Sequence, residues 1–220
     1  ISVTDSSITG AGDAGLSIAD VGAAGNLFDD FSVFTQPDSV NTWDSNYKGV
    51  WHLPNGTTLS MIDSTSNEHN GSSASPPTAT TSKFDGGASY DGVSNTFTVT
   101  NVPELSNTAH FSLEGWIKLT SVVPNAVLMM HGTEIPWDFR IYGTGNNLLM
   151  RFADNGSYGI TGDVLSTSTW KQFVVVYDGT GSADADKLKI YIDGVSQSLT
   201  FEVGGIPASV STNTGELRIG

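Results

Sequence analysis

From Tyr47 onward the chain is a succession of short apolar segments, each closed by Gly, Asp, Asn or Ser. In NTFTVTNV (95–102), Phe97 and Val99 fall on one side and Thr96, Thr98 and Thr100 on the other. A period of two is the signature of a half-buried β-strand. FSLEGWIKLTS (111–121) places Phe111, Leu113, Ile117 and Leu119 on one face and Ser112, Glu114, Trp116 and Lys118 on the other. KLKIYIDG (187–194) alternates with Leu188, Ile190 and Ile192 inward, and Asp193–Gly194 predicts a hairpin with SLTFEV (198–203) as partner. KGVWHL (48–53), VLMMHG (127–132), DFRIYG (138–143) and NLLMRFAD (147–154) read as further strands, and ELRIG (216–220) as a last one. SKFDGGASYDG (82–92) reads as two short strands or a hairpin around Gly86–Gly87. WKQFVVVYDG (170–179) is nearly continuous in apolar residues, which predicts a central strand buried on both faces. Strands this frequent, with no helix longer than a turn or two between them, predict an all-β antiparallel sandwich or jelly roll.

Residues 1–46 break this pattern. ISVTDSSITGAGDAGLSIADVGAAGN is small, polar and Gly-rich, and only FDDFSVF (28–34) alternates weakly. The segment reads as a linker or the remnant of a preceding β domain, with the sandwich occupying 47–220.

Composition narrows the function. The 220 residues hold nine Lys and Arg against 23 Asp and Glu, a net charge of −14. That field repels phosphate backbones and anionic lipid, so nucleic acid and membrane are poor partners. No apolar run is long enough to span a bilayer. The chain has no Cys, which excludes disulfides, thiol catalysis and Cys-based zinc sites. His52, His69, His110 and His131 are widely spaced, with no H-E-x-x-H pattern, and read as structural or solvated. There is no phosphate-binding loop and no nucleophile elbow. Glu114 stands alone, whereas glycoside hydrolysis needs two carboxylates across a sugar. The chain is therefore read as non-catalytic.

The segments GVWHLP (49–54), DSTSNEHNG (63–71), KFDGGASYDG (83–92), FSLEGWIKL (111–119), STWKQFVVVYDG (168–179) and KLKIYIDG (187–194) occur in this order. Together they resemble the laminin-G-like jelly rolls of the concanavalin A-like lectin/glucanase superfamily. The resemblance covers 47–220. It implies an extracellular or surface-attached recognition module, secreted or carried on a virion, that binds a polysaccharide or cell-surface glycan. It also implies a further acidic strand after ELRIG. Three outcomes follow: the jelly roll lacks this last strand, the N-terminal segment fills its slot, or a neighbouring chain does by strand addition. A second reading follows: a structural or adhesive subunit of a surface, fibre or virion assembly joined through sheet edges.

Two candidate sites emerge. Asp63, Ser66, Asn67 and Asn70 supply oxygen donors in one loop, and Ca²⁺ requires six to eight oxygens. In the resembled family this loop often holds a structural Ca²⁺, which carries over best to Asp63 and Asn67, with Asn70 and Asp91 as supplements. The alternative is a loop whose side chains cap its own backbone. The second site is aromatic. Trp116, Arg140, Tyr142 and Arg151 fall on the outward sides of their strands and would line one surface if those strands are neighbours. Trp and Tyr stack on sugar faces, and Arg binds hydroxyls or carboxylates. Trp116 packed beneath a loop is the competing reading. Trp137, after Pro136, is a further exposed candidate, whereas Trp51 and Trp170 are expected in the core.

Overall fold

A computed structural model describes residues 43–220, except 55–57, 85, 133–136, 144, 153–155, 203 and 213–214. The readings for 1–42, including FDDFSVF, therefore lie outside the described residues.

Thirteen strands are present among the described residues: β1 (Thr78–Thr81), β2 (Gly86–Ser89), β3 (Phe97–Val99), β4 (His110–Ile117), β5 (Val127–His131), β6 (Trp137–Tyr142), β7 (Asn147–Phe152), β8 (Ser157–Ile160), β9 (Lys171–Asp178), β10 (Leu188–Ile192), β11 (Val195–Ser196), β12 (Thr200–Glu202) and β13 (Leu217–Ile219). Helix is confined to single turns: a 3-10 turn at Pro103–Leu105 and α1 at Asp184–Lys187. The strands form a seven-stranded sheet in the order β12-β8-β7-β6-β5-β13-β3 and a four-stranded sheet in the order β11-β10-β9-β4. Each of their ladders is antiparallel. The β1–β2 hairpin forms a third, two-stranded sheet. This is the all-β sandwich that the alternation predicts.

The two layers meet through the residues that the period of two turns inward. Phe139, Ile141, Leu148, Met150 and Phe152 come from β6 and β7, and Leu113, Phe173, Val175, Tyr177, Leu188 and Ile190 from the facing sheet; all are buried. Rings cross between the layers: Phe139 lies 5.1 Å from Phe173, and Phe152 lies 4.8 Å from Tyr177, centroid to centroid. Burying one such ring stabilises the fold by roughly 1.5–3 kcal/mol. Gly159 keeps this interface close: a Cβ there would stand 2.8 Å from Leu188 Cδ2 and 3.1 Å from Phe201.

Several elements differ from their sequence reading. KGVWHL (48–53) is not a strand; Trp51 and Leu53 pack against the core from irregular chain. Trp51 donates Nε1–H to His69 O and meets Phe97 edge-on at 5.6 Å. The hairpin near Gly86–Gly87 pairs 86–89 with 78–81, a segment with no apolar pattern. β9 is buried on one face, not two: Phe173, Val175 and Tyr177 are inward, while Val174 and Val176 sit half-exposed on the outer face of a two-layer fold. The turn Asp193–Gly194 does close a hairpin, with φ of 51° and 78°, as a type I′ turn requires. Its partner, however, is the two-residue β11, not 198–203. The chain then crosses layers, and β12 pairs with β8. β8 itself has no counterpart in the sequence reading. Finally, β13 is hydrogen-bonded on both sides, to β5 and β3, so 217–219 is not an open edge. Beyond β3, Thr98 is bridged to Ser72.

Candidate functional site

The outer face of the seven-stranded sheet is set by register. Opposite neighbours run Thr98, Arg218, Met130, Asp138, Arg151, Tyr158 and Glu202, one residue per strand from β3 to β12. A second row runs Val127, Arg140, Leu149, Ile160 and Thr200, and Tyr142 opposes Asn147 beyond it. Two of the four residues expected to share a surface, Arg140 and Arg151, thus occupy adjacent strands, with Tyr142 two positions beyond Arg140.

Trp116 does not join them. It lies on β4 in the other sheet, opposite Gln172, on that sheet's outer face. Its ring meets Phe84 edge-on at 5.6 Å, and Lys83 Nζ stands 5.3 Å from its centroid. The β1–β2 hairpin touches it on one side, and the ring stays exposed. Trp137 is also corrected: far from being exposed, it is wholly buried at the start of β6 and stacks on Phe111 at 5.2 Å. Alternation from Phe139 and Ile141 already puts position 137 inward, a signal that the preceding Pro obscured. Trp170 is half-buried under Lys118, 5.0 Å above its ring.

Beside Trp137 lies His131, fully buried, with ring centroids 5.9 Å apart. Among the described residues, neither imidazole nitrogen nor Trp137 Nε1 has a hydrogen-bond partner of good geometry. Burial holds the imidazole below its ordinary range, against a weaker upward pull from the Val102 backbone.

An open cleft of about 540 Å³ adjoins the two rows, lined by Tyr142, Asn147, Ile160, Thr161, Thr200 and Glu202 among others. Its size is that of a small-ligand site. Tyr142 is exposed, and its ring lies 6.1 Å from that of Tyr158, tilted by 34°. Tyr158 donates its hydroxyl to Glu202 Oε2 at 2.7 Å. This bond, with the charge of Glu202 beside it, pushes the phenol up to about 12. Asn147 donates Nδ2–H to Thr161 O at 2.8 Å. Tyr158, Asn147, Thr200 and Glu202 were not singled out in the sequence: β8 shows no period, and although 147–154 and 198–203 read as strands, the pairing of β8 with β7 and β12 that gathers these residues was not legible.

Next to the cleft, Asp138 is fully buried on the outward side of β6. Arg140 Nε donates to its Oδ1. Arg151 donates to Oδ2 through Nε at 2.7 Å and approaches it through Nη2 at 2.6 Å. One carboxylate thus serves two guanidinium groups. Arg218 pairs with Glu216.

The loop 63–71 is organised by Asp63. Its Oδ1 accepts from the Val50 and Thr65 amides at 2.8 and 3.0 Å, and its Oδ2 accepts from Thr65 Oγ1 and the His69 amide at 2.8 and 2.9 Å. Burial works against the charge, yet these donors hold the carboxyl below its usual range. Asn70 Oδ1 accepts from the Asp63 amide, and Asn67 Nδ2 donates to the carbonyls of Tyr47 and Lys48. Asp91 is engaged in its own turn, accepting from Val93, Ser94 and Asn95, which lower its carboxyl strongly. A Ca²⁺ shell needs oxygens free to converge. The four lone-pair directions of Asp63 already meet N–H and O–H donors, so this donor set does not fit the ion. Among the described residues no cluster of three or more His, Asp or Glu has metal-holding geometry.

Compared with family models, residues 91–220 match a laminin-G-type model described as the concanavalin A-like lectin/glucanases superfamily. No curated protein matches the chain.

Proposed function

Because this chain belongs to the concanavalin A-like lectin/glucanases superfamily, we propose that it is a non-catalytic, extracellular carbohydrate-recognition module whose site is the outer face of the seven-stranded sheet. The observation that carries this reading is the Tyr142–Tyr158 pair, of which Tyr142 lines the cleft. A sugar offers an apolar C–H face and a rim of hydroxyls. Aromatic rings take the first, while amide and carboxylate oxygens and guanidinium groups take the second.

The carboxylates support binding over cleavage. Along the register row, Asp138 and Glu202 are three strands apart, about 14 Å at ordinary strand spacing. Glycosidase pairs stand about 5–9.5 Å apart. Asp138 is also fully committed to two arginines, so it is neither a free acid nor a free base.

A glycan array tests the reading. The wild-type chain is expected to retain at least one polysaccharide, and Tyr142→Ala to lose it with unchanged melting. An array with no retained glycan, or release of reducing sugar from any retained one, overturns it.

A further inference from the structure

The chain contains three arginines, Arg140, Arg151 and Arg218. All three project from the same face of the same sheet. Arg151 and Arg218 stand in one register row, separated by Asp138 and Met130, about 14 Å apart by strand spacing. Arg140 is in the adjacent row, next to Tyr142. In a chain of net charge −14, this is a departure from the surrounding field.

Arg218 is offset by Glu216, but around Asp138 the charges do not cancel. Asp138 offsets one of its two guanidinium groups, so Arg140, Asp138 and Arg151 together carry one positive charge. Asp138 is wholly buried, while the side chains of Arg140 and Arg151 remain 18% and 33% exposed. The buried carboxylate engages Arg140 through Nε and Arg151 through Nε and Nη2. A guanidinium has five donors. The remaining Nη donors are thus held in place by groups beneath them, with no further bond to a described residue. Two guanidinium groups fixed from below form a ready anion seat, because the ordering cost is met in the free protein.

Resting on the glycan reading above, we propose that the ligand is an acidic polysaccharide, whose carboxylate sits over Arg140 and Arg151 while a neighbouring sugar ring stacks on Tyr142. Glu202 fixes the orientation. It lies on β12, two strands beyond Arg151, and it repels a carboxylate, so the acidic sugar occupies the Arg side and a hydroxyl-rich ring the cleft. Arg218, two strands from Asp138 on the opposite side, is paired with Glu216 and adds no net charge to the seat.

The test compares matched pairs on the folded wild-type chain: galacturonan, alginate and hyaluronan against their carboxyl-reduced neutral forms, by calorimetry at low salt. At least one acidic polymer is expected to bind ten-fold or more tightly than its reduced partner. Raised salt should shrink that ratio, because exposed charges are screened. Arg151→Gln is expected to bring the ratio close to one, with circular dichroism confirming the fold. Equal binding of an acidic polymer and its reduced form, lost in Tyr142→Ala, overturns the acidic preference and leaves the glycan site standing. Absence of binding to every member of both series overturns both.

Discussion

Arg151 and Asp138 stand opposite one another across β7 and β6, with Nη2 2.6 Å from Oδ2 of a carboxylate that has no exposed surface. A carboxylate so buried is tolerated only because guanidinium groups meet both oxygens. Asp138→Ala removes the anion and leaves two arginines facing each other at partial exposure. It is expected to lower unfolding stability by about 2 kcal/mol, read as an earlier urea midpoint. An unchanged midpoint would show that the triad contributes nothing to folding.

His131 gives the fold a pH dependence whose sign follows from burial. Its folded pKa is depressed by desolvation, so the unfolded chain takes up the proton first as pH falls. The contribution is complete above about pH 6.5, the ordinary imidazole value, and is lost progressively as pH drops toward the folded pKa. The melting temperature should therefore fall on acidification below that point. His131→Leu, which also removes two buried nitrogens without a well-formed hydrogen bond to a described residue, should flatten this slope and cost little stability at neutral pH. A slope that survives the substitution assigns the effect to another group.

The loop 63–71 is expected to be stable without an ion. Asp63→Ala strands the amides of Val50, Thr65 and His69 and should cost about 3 kcal/mol, in line with several buried donors left unpaired. Adding millimolar Ca²⁺ to the wild-type chain should leave its melting temperature where it is. A rise of several degrees, abolished in Asp63→Ala, would restore a calcium site. Because the folded pKa of Asp63 is lowered, its contribution is full above the ordinary carboxyl range and is lost as pH falls below it.

Trp116→Ala separates the two faces of the sandwich. Trp116 packs with Phe84 and Lys83 on the four-stranded sheet, remote in topology from Tyr142. Glycan retention should be unaffected, while the β1–β2 hairpin should exchange its amide protons faster. Lost retention with an intact hairpin would move the binding face to the other sheet.

Gly159→Val should destabilise the fold. Its added side chain meets Leu188 and Phe201 at the inner surface of β8, where overpacking costs about 1–3 kcal/mol. A variant that melts with the wild type would show that this interface has room to spare.

The strands with five or more alternating positions were legible, because a period of two needs that many residues to stand out. β4, β6, β7 and β10 with their inward residues Leu113, Phe139, Ile141, Leu148, Met150 and Ile190 are of this kind. β8, with four residues, carried no such signal, and it brings Tyr158; 198–203 was read as a strand but given the wrong partner, so Glu202 of β12 was not placed beside it. The metal reading and its alternative rested on the same loop composition. Asp, Asn and Ser bind cations and cap backbone with the same oxygens, and only the positions of the Val50 and His69 amides separate the two.

Local alternation decided which side of each strand faces the interior, since that choice depends on neighbours two residues away. Which strands lie side by side depends on contacts between residues far apart in sequence. That is why Trp116 and Tyr142, both correctly read as outward, ended on opposite layers, and why Arg140 and Arg151 met over a single carboxylate. Side-chain chemistry was written in the sequence, while the company each side chain keeps came from the closing of the sheets.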